Sequence, residues 1–183
     1  MRLYLIRHPL PDAPPGTCYG RTDLGLAEDA AAVAARLRAH LPAEAPFYSS
    51  PLLRCRLLAQ ALHPAPRFDA RLVEMDFGAW EMQAWQDIDR AALDAWAADP
   101  GGFAPPGGES PRQMWQRAAG FHEALLDTGT AEAVLVTHSG VIKALCGLRL
   151  GLADAEWMQL TFAYGGVSLI EGARCVWQDV GLA

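Results

Sequence analysis

Met1-Arg-Leu-Tyr-Leu-Ile-Arg-His-Pro9 sets a short apolar run, Leu3 to Ile6, directly against a cation, an imidazole and a proline. A run this brief and this apolar predicts a buried strand. Arg7 and His8 then stand at its carboxyl end, where open α/β sheets place their ligand crevice. The competing reading is a solvated pair where the strand leaves the sheet. Pro9 ends the strand and brings no N–H of its own.

Working outward, a second buried strand is predicted at Ala133 to Thr137, and it too runs into a histidine, His138-Ser139-Gly140. If the two strands are parallel neighbours, His8 and His138 face one another across one crevice. Pro9 to Gly25 holds four prolines and three glycines and reads as a long functional loop. A helix is expected over Ala27 to His40, with Glu28 and Asp29 in its first turn. Phe47 to Ser49 is a short strand. Ser50-Pro51 is then expected to start a helix reaching Leu62, with serine as N-cap and proline at the first helical position. Arg54 would lie in its first turn and lean back toward the strand-end crevice. One or two short helices are expected over 83–98. Ser110-Pro-Arg-Gln113 is a capping box opening a helix to about Leu126. A further helix follows from about Val141 to Leu150, and 167–170 and 175–177 form a terminal strand pair about Gly172. Strands alternating with helices imply an α/β sheet, mostly parallel, with the last strands antiparallel.

The chain of 183 residues suits one domain, with a small cap-like insertion at about 75–110. Fifteen Lys and Arg against 21 Asp and Glu leave a net charge of −6, which argues against nucleic acid or an anionic membrane as partner. An anion must therefore be met by local cations. The four-residue apolar run ended by Arg7 is not expected to be a signal peptide. Cysteines 18, 55, 146 and 175 are scattered without a Cys-x-x-Cys pair, so the cytoplasm is the expected compartment.

Arg7, Arg54, His8 and His138 together suit a tetrahedral dianion, because guanidinium forks pair with phosphate oxygens bidentately. Glu74 or Asp76 would bring a carboxylate. No Asp/Glu/His cluster has metal-ligand spacing, so a site without metal or other cofactor is the simpler reading. His40, His63 and His122 are read as structural, and Arg117 as a tie between elements. Glu81 is read as supporting. Cys18 has no base to activate it. Arg21 and Asp23 either shape the loop or close a turn.

Five stretches occur in order: Arg7-His8 after an apolar strand, Ser49-Ser-Pro-Leu-Leu-Arg-Cys55, Glu74-x-x-Phe-Gly-x-Trp-Glu81, Pro106-Gly-Gly-Glu-Ser110 with Arg117, and Val136-Thr-His-Ser-Gly140. This set resembles the histidine phosphatase superfamily. The resemblance implies a phosphoglycerate-mutase-like three-layer α/β/α sandwich with helices on both faces. It implies His8 as nucleophile, Arg7, Arg54, His138 and Ser139 as phosphate ligands, and Glu74 as the acid. Three positions depart from the usual pattern: Pro9 where glycine is common, Pro14 where mutase-type members carry a phosphate-contacting asparagine, and Met82 where a glycine follows Trp-Glu. Thr17 or a loop amide would replace that asparagine. Cys18-Tyr-Gly-Arg-Thr-Asp-Leu24 resembles the α-ribazole phosphatase branch, which acts on a ribose 5-phosphate ester carrying a dimethylbenzimidazole. Tyr19, Arg21, Trp80, Trp85 and Trp96 are the candidate substrate contacts, with packing of the cap helices as the alternative role for the tryptophans. A broad-specificity sugar phosphatase, a phosphoglycerate mutase and a non-catalytic phospholigand-binding module are the rival functions. The expected partner is a small phosphate ester, with the protein a monomer or homodimer.

Overall fold

A computed structural model describes residues 1–182. Twelve elements follow one another: β1 Arg2–Arg7, α1 Ala30–Leu37, β2 Phe47–Ser49, α2 Leu53–Leu62, β3 Arg67–Phe68, α3 Arg90–Ala98, α4 Pro111–Asp127, β4 Glu132–Thr137, α5 Ser139–Leu150, α6 Asp154–Trp157, β5 Val167–Glu171 and β6 Arg174–Val180. They form a six-stranded sheet in the order β3-β2-β4-β1-β5-β6. The first four strands of that order run parallel, and β1–β5 and β5–β6 are antiparallel.

Strand side chains alternate between faces, and here both faces are covered. Leu3, Leu5, Ala133 and Leu135 pack under α4, α5 and α6, while Tyr4, Ile6, Val134 and Val136 pack under α1 and α2. A sheet buried on both sides explains why β1 and β4 read as unbroken apolar runs rather than alternating ones. Their register is level, Arg7 opposite Thr137. The two histidines that come next in the chain therefore emerge side by side.

Three helix starts differ from expectation. α1 begins at Ala30 because Asp29 is its N-cap, accepting from Ala31 and Ala32 N–H, and Glu28 pairs with Arg36 instead; the last turn, 38–40, tightens to 3-10. α2 begins at Leu53, not Pro51. Its leading amide is taken by Asp23 Oδ1 at 2.6 Å, a cap supplied by the loop thirty residues upstream. α5 begins at Ser139, straight off the strand, two residues before the expected start. The capping box at Ser110 and Gln113 is as read. Residues 73–110 carry no strand, and there Trp80 and Ile88 join Cys18 in a third apolar cluster.

Candidate active site

His8 extends the β1–β4 ladder by one bond, its N–H donating to Thr137 O at 3.0 Å. Its Nδ1 lies 2.7 Å from Pro9 O. A carbonyl only accepts, so the ring proton sits on Nδ1 and Nε2 carries a lone pair. That lone pair faces Arg54 Nε–H at 3.3 Å. Burial holds the His8 pKa well below its ordinary 6.5, and Arg54 and Arg7 push the same way against the Pro9 bond. Pro9, the departure from the usual motif, thus pins the tautomer with its carbonyl although it lacks an N–H.

Arg54 comes from the first turn of α2 and is fully buried. Its other nitrogens hold the loop, Nη1 donating to Thr22 O at 2.8 Å and Nη2 to Gly20 O at 2.5 Å. Gly20 must be glycine, since a Cβ there would collide with the Met75 carbonyl. Glu81 pulls the same turn inward, accepting from Arg21 and Thr22 N–H at 2.7 Å and from Phe77 N–H at 3.1 Å. Burial would raise the Glu81 pKa, but these bonds outweigh it and hold it low. Glu81 is therefore the buckle between the 20–22 turn and the 77–81 stretch.

On the other side of His8, Arg7 donates to Phe162 O at 2.6 Å, and its guanidinium lies 3.5 Å from the Tyr164 ring centroid. Tyr164 meets Tyr19 hydroxyl to hydroxyl at 2.6 Å. Burial and this bond push the Tyr19 pKa up. Arg7 Nε is buried without a hydrogen-bond partner among the described residues. A buried, unpaired guanidinium N–H is costly unless something anionic meets it.

His138 is completely buried, its ring 5.1 Å from His8 and edge-on to it. Ser50 Oγ lies 2.8 Å from His138 Nε2, and Cys55 Sγ 3.4 Å from the same atom. Burial, then His8 and Arg54, depress its pKa well below 6.5. Thiols gain nothing here: burial pushes Cys18 up to about 12, with Glu81 adding to it.

A cavity of about 740 Å³ opens at these strand ends, and Arg7, His8, Glu74, Ser139, Tyr19 and Tyr164 stand in its wall. Arg54 and His138 do not; they back His8 from within. Between the two candidate acids the geometry is plain. Glu74 lines the cavity, its oxygens accepting from Met75 N–H at 3.0 Å and from Gly140 N–H, in the first turn of α5, at 3.1 Å. Asp76 lies outside the wall, receiving Gly78 N–H at 2.8 Å and standing 3.5 Å from Arg21. Arg117 fixes the approach of Glu74 through its backbone, donating to Val73 O at 2.6 Å, Arg71 O at 2.8 Å and Glu74 O at 3.0 Å. Its charge is met by Glu109 at 2.6 Å.

Of the expected substrate contacts, Thr17 and Tyr19 line the cavity, and so does Pro14. Arg21 does not: its side chain turns to Asp76 and Glu109, the nearer at 3.4 Å. Trp80 does not either. It is 4% exposed, packed against Trp96 and Phe103, because the third cluster needs a large side chain at its centre. Trp85 and Trp96, stacked on each other at 5.7 Å, do reach the wall. Sequence reasoning missed Tyr164 and Lys143. Tyr164 lies in the turn before β5, a segment without a motif. Lys143 could have been found, since it stands four residues after Ser139 and shares its helix face.

The histidine phosphatase superfamily (branch 1) profile matches residues 3–182. The chain belongs to that superfamily. Its members are phosphatases or mutases, and the phosphatase relatives support a hydrolase. A crystal structure of the alpha-ribazole phosphatase from Shigella flexneri superposes with a TM-score of 0.83 at 26% identity, covering 93% of this chain and 90% of that one. A phosphoglycerate mutase from Thermus thermophilus gives 0.78 at 33% identity, over 98% of this chain and 99% of that one. Glucosyl-3-phosphoglycerate phosphatase of Mycolicibacterium vanbaalenii is 36% identical over 99 residues, 49% of this chain and 44% of the relative. The match thus spans less than half of that curated relative.

Proposed function

We propose that this protein is a phosphomonoesterase that works through a phosphohistidine at His8, without a metal ion, on α-ribazole 5′-phosphate. The observation that carries the reading is the His8 ring. Its proton is engaged by Pro9 O, its Nε2 lone pair is set toward Arg54, and it shares a cavity wall with Arg7 and Glu74.

In the resting site Arg54 Nε–H occupies the His8 lone pair. An incoming phosphate dianion draws that N–H, and the unpaired Arg7 Nε–H, onto its oxygens and frees Nε2. The His8 lone pair then forms the N–P bond as the ester P–O bond breaks, and Glu74 gives the leaving oxygen its proton. Water next attacks phosphorus, loses a proton to Glu74, and the N–P bond breaks to release phosphate and neutral His8. The transition state spreads charge over three oxygens, so fixed cations and positioning supply most of the catalysis. His138, pinned by Ser50, backs His8 from within, and Ser139 offers the α5 N-terminus to the phosphate.

The substrate assignment is supported by the aromatic chamber beside the clamp and by the likeness to the Shigella enzyme. In this reading residues 75–110 are the cap that builds the chamber. Enzyme incubated with labelled ester and quenched in alkaline detergent should carry one phosphoryl group that acid then releases, absent in His8→Ala. A His8→Ala protein that still turns over p-nitrophenyl phosphate sinks the mechanism. Turnover of α-ribazole 5′-phosphate no better than of sugar phosphates sinks the substrate.

A further inference from the structure

The cavity wall also holds apolar side chains that the phosphoryl chemistry does not use: the stacked Trp85 and Trp96, with Met114, Trp157 and Met158. One cation is set into it. Lys143 stands one turn beyond Ser139 on α5, so it leaves the same face about 6 Å farther along the helix axis. Its Nζ donates to Met158 O at 3.0 Å, and among the described residues it forms no ion pair. An ammonium has three N–H donors, so two remain. Burial lowers its pKa, with Glu74 opposing, as befits a partly desolvated donor rather than a solvated surface lysine. Tying Met158 to α5 needs only one donor and no place in the cavity wall.

We propose that Lys143 selects the ester, by donating a hydrogen bond to an acceptor on a flat leaving-group ring that packs on Trp85 and Trp96. The inference rests on the substrate class proposed above and names its distal contact. A benzimidazole bound to ribose through one nitrogen keeps the other as an in-plane acceptor with no proton of its own. That single acceptor on an apolar bicycle matches a single cation in an apolar wall. A benzene ring offers nothing to it. A sugar offers hydroxyls, but no apolar face wide enough for the tryptophans.

The test is a selectivity ratio: kcat/KM on α-ribazole 5′-phosphate divided by that on phenyl phosphate, for the wild type and for Lys143→Met. A hydrogen bond from a charged donor predicts a fall of roughly ten- to a hundredfold. Lys143→Arg, which keeps a cation, should restore part of the ratio. The analogue in which indole replaces benzimidazole, a C–H in place of the acceptor nitrogen, should lose the same factor with wild-type enzyme and little more with Lys143→Met. A fall under fivefold, or an indole ester taken as well as the benzimidazole one, overturns the role of Lys143. Wild-type enzyme that ignores α-ribazole 5′-phosphate altogether overturns instead the substrate on which it rests.

Discussion

Glu74→Gln separates the acid from everything else at the site. The substitution keeps the side chain's size and removes its proton and charge. Glu74 holds two backbone amides, Met75 N–H and Gly140 N–H, and glutamine has one carbonyl oxygen to offer them. One amide is left facing an NH2 group, which costs about 1–3 kcal/mol of stability. The catalytic cost depends on the leaving group. An alkoxide such as the ribose 5′-oxygen must be protonated as it departs, so its ester should lose ~10²–10⁴-fold in kcat/KM, or about 3–5 kcal/mol of barrier. A p-nitrophenolate carries its own negative charge away and needs little help. The assay is kcat/KM for p-nitrophenyl phosphate and for an alkyl phosphate, each with wild type and Glu74→Gln, beside urea unfolding of both proteins. A tenfold or larger difference between the two esters' losses is expected. Equal losses on both would mean that Glu74 shapes the phosphate site rather than protonating the leaving oxygen. No loss on either would remove it from the mechanism.

Arg117→Met should cost about 3–5 kcal/mol in urea unfolding, since it strips a largely buried partner from Glu109 and leaves the Arg71, Val73 and Glu74 carbonyls without their donor; a loss under 1 kcal/mol would show that the clamp is redundant. Acid should destabilise the protein through His8 and His138, whose folded pKa values both lie well below the ordinary 6.5. The unfolded chain then binds more protons as pH falls below that value, so the stability is fully present above it and is lost beneath it. Each histidine removes about 1.4 kcal/mol per pH unit there, and the pH dependence of unfolding between pH 7.5 and 5.5 should flatten in His8→Phe.

Much of this site is legible in the sequence because its two main strands are buried on both faces. Leu3 to Ile6 and Ala133 to Thr137 have only one apolar reading, and the polar residues next after each run must come out at a strand end. The capping box at Ser110 is legible for another local reason: its two bonds span three residues. Where a partner lies far along the chain, the sequence misleads. Ser50-Pro51 has the form of a helix start, yet α2 waits for Asp23 to reach Leu53 N–H. Arg21 and Trp80 sit in the right motifs but are drawn off, one to Asp76 and Glu109, the other into the third cluster.

The opening strand, the order of the motifs and the identity of the charged groups are properties of the sequence alone, set by local periodicity and residue type. Which groups face the cavity is not. Arg54 and His138 back His8 rather than line the wall, Glu74 lines it while Asp76 does not, and Tyr164 arrives from a segment with no motif. Only tertiary structure decides these, because a side chain's partner is whatever the packed chain brings within about 3 Å of it, and that distance is not written in sequence separation.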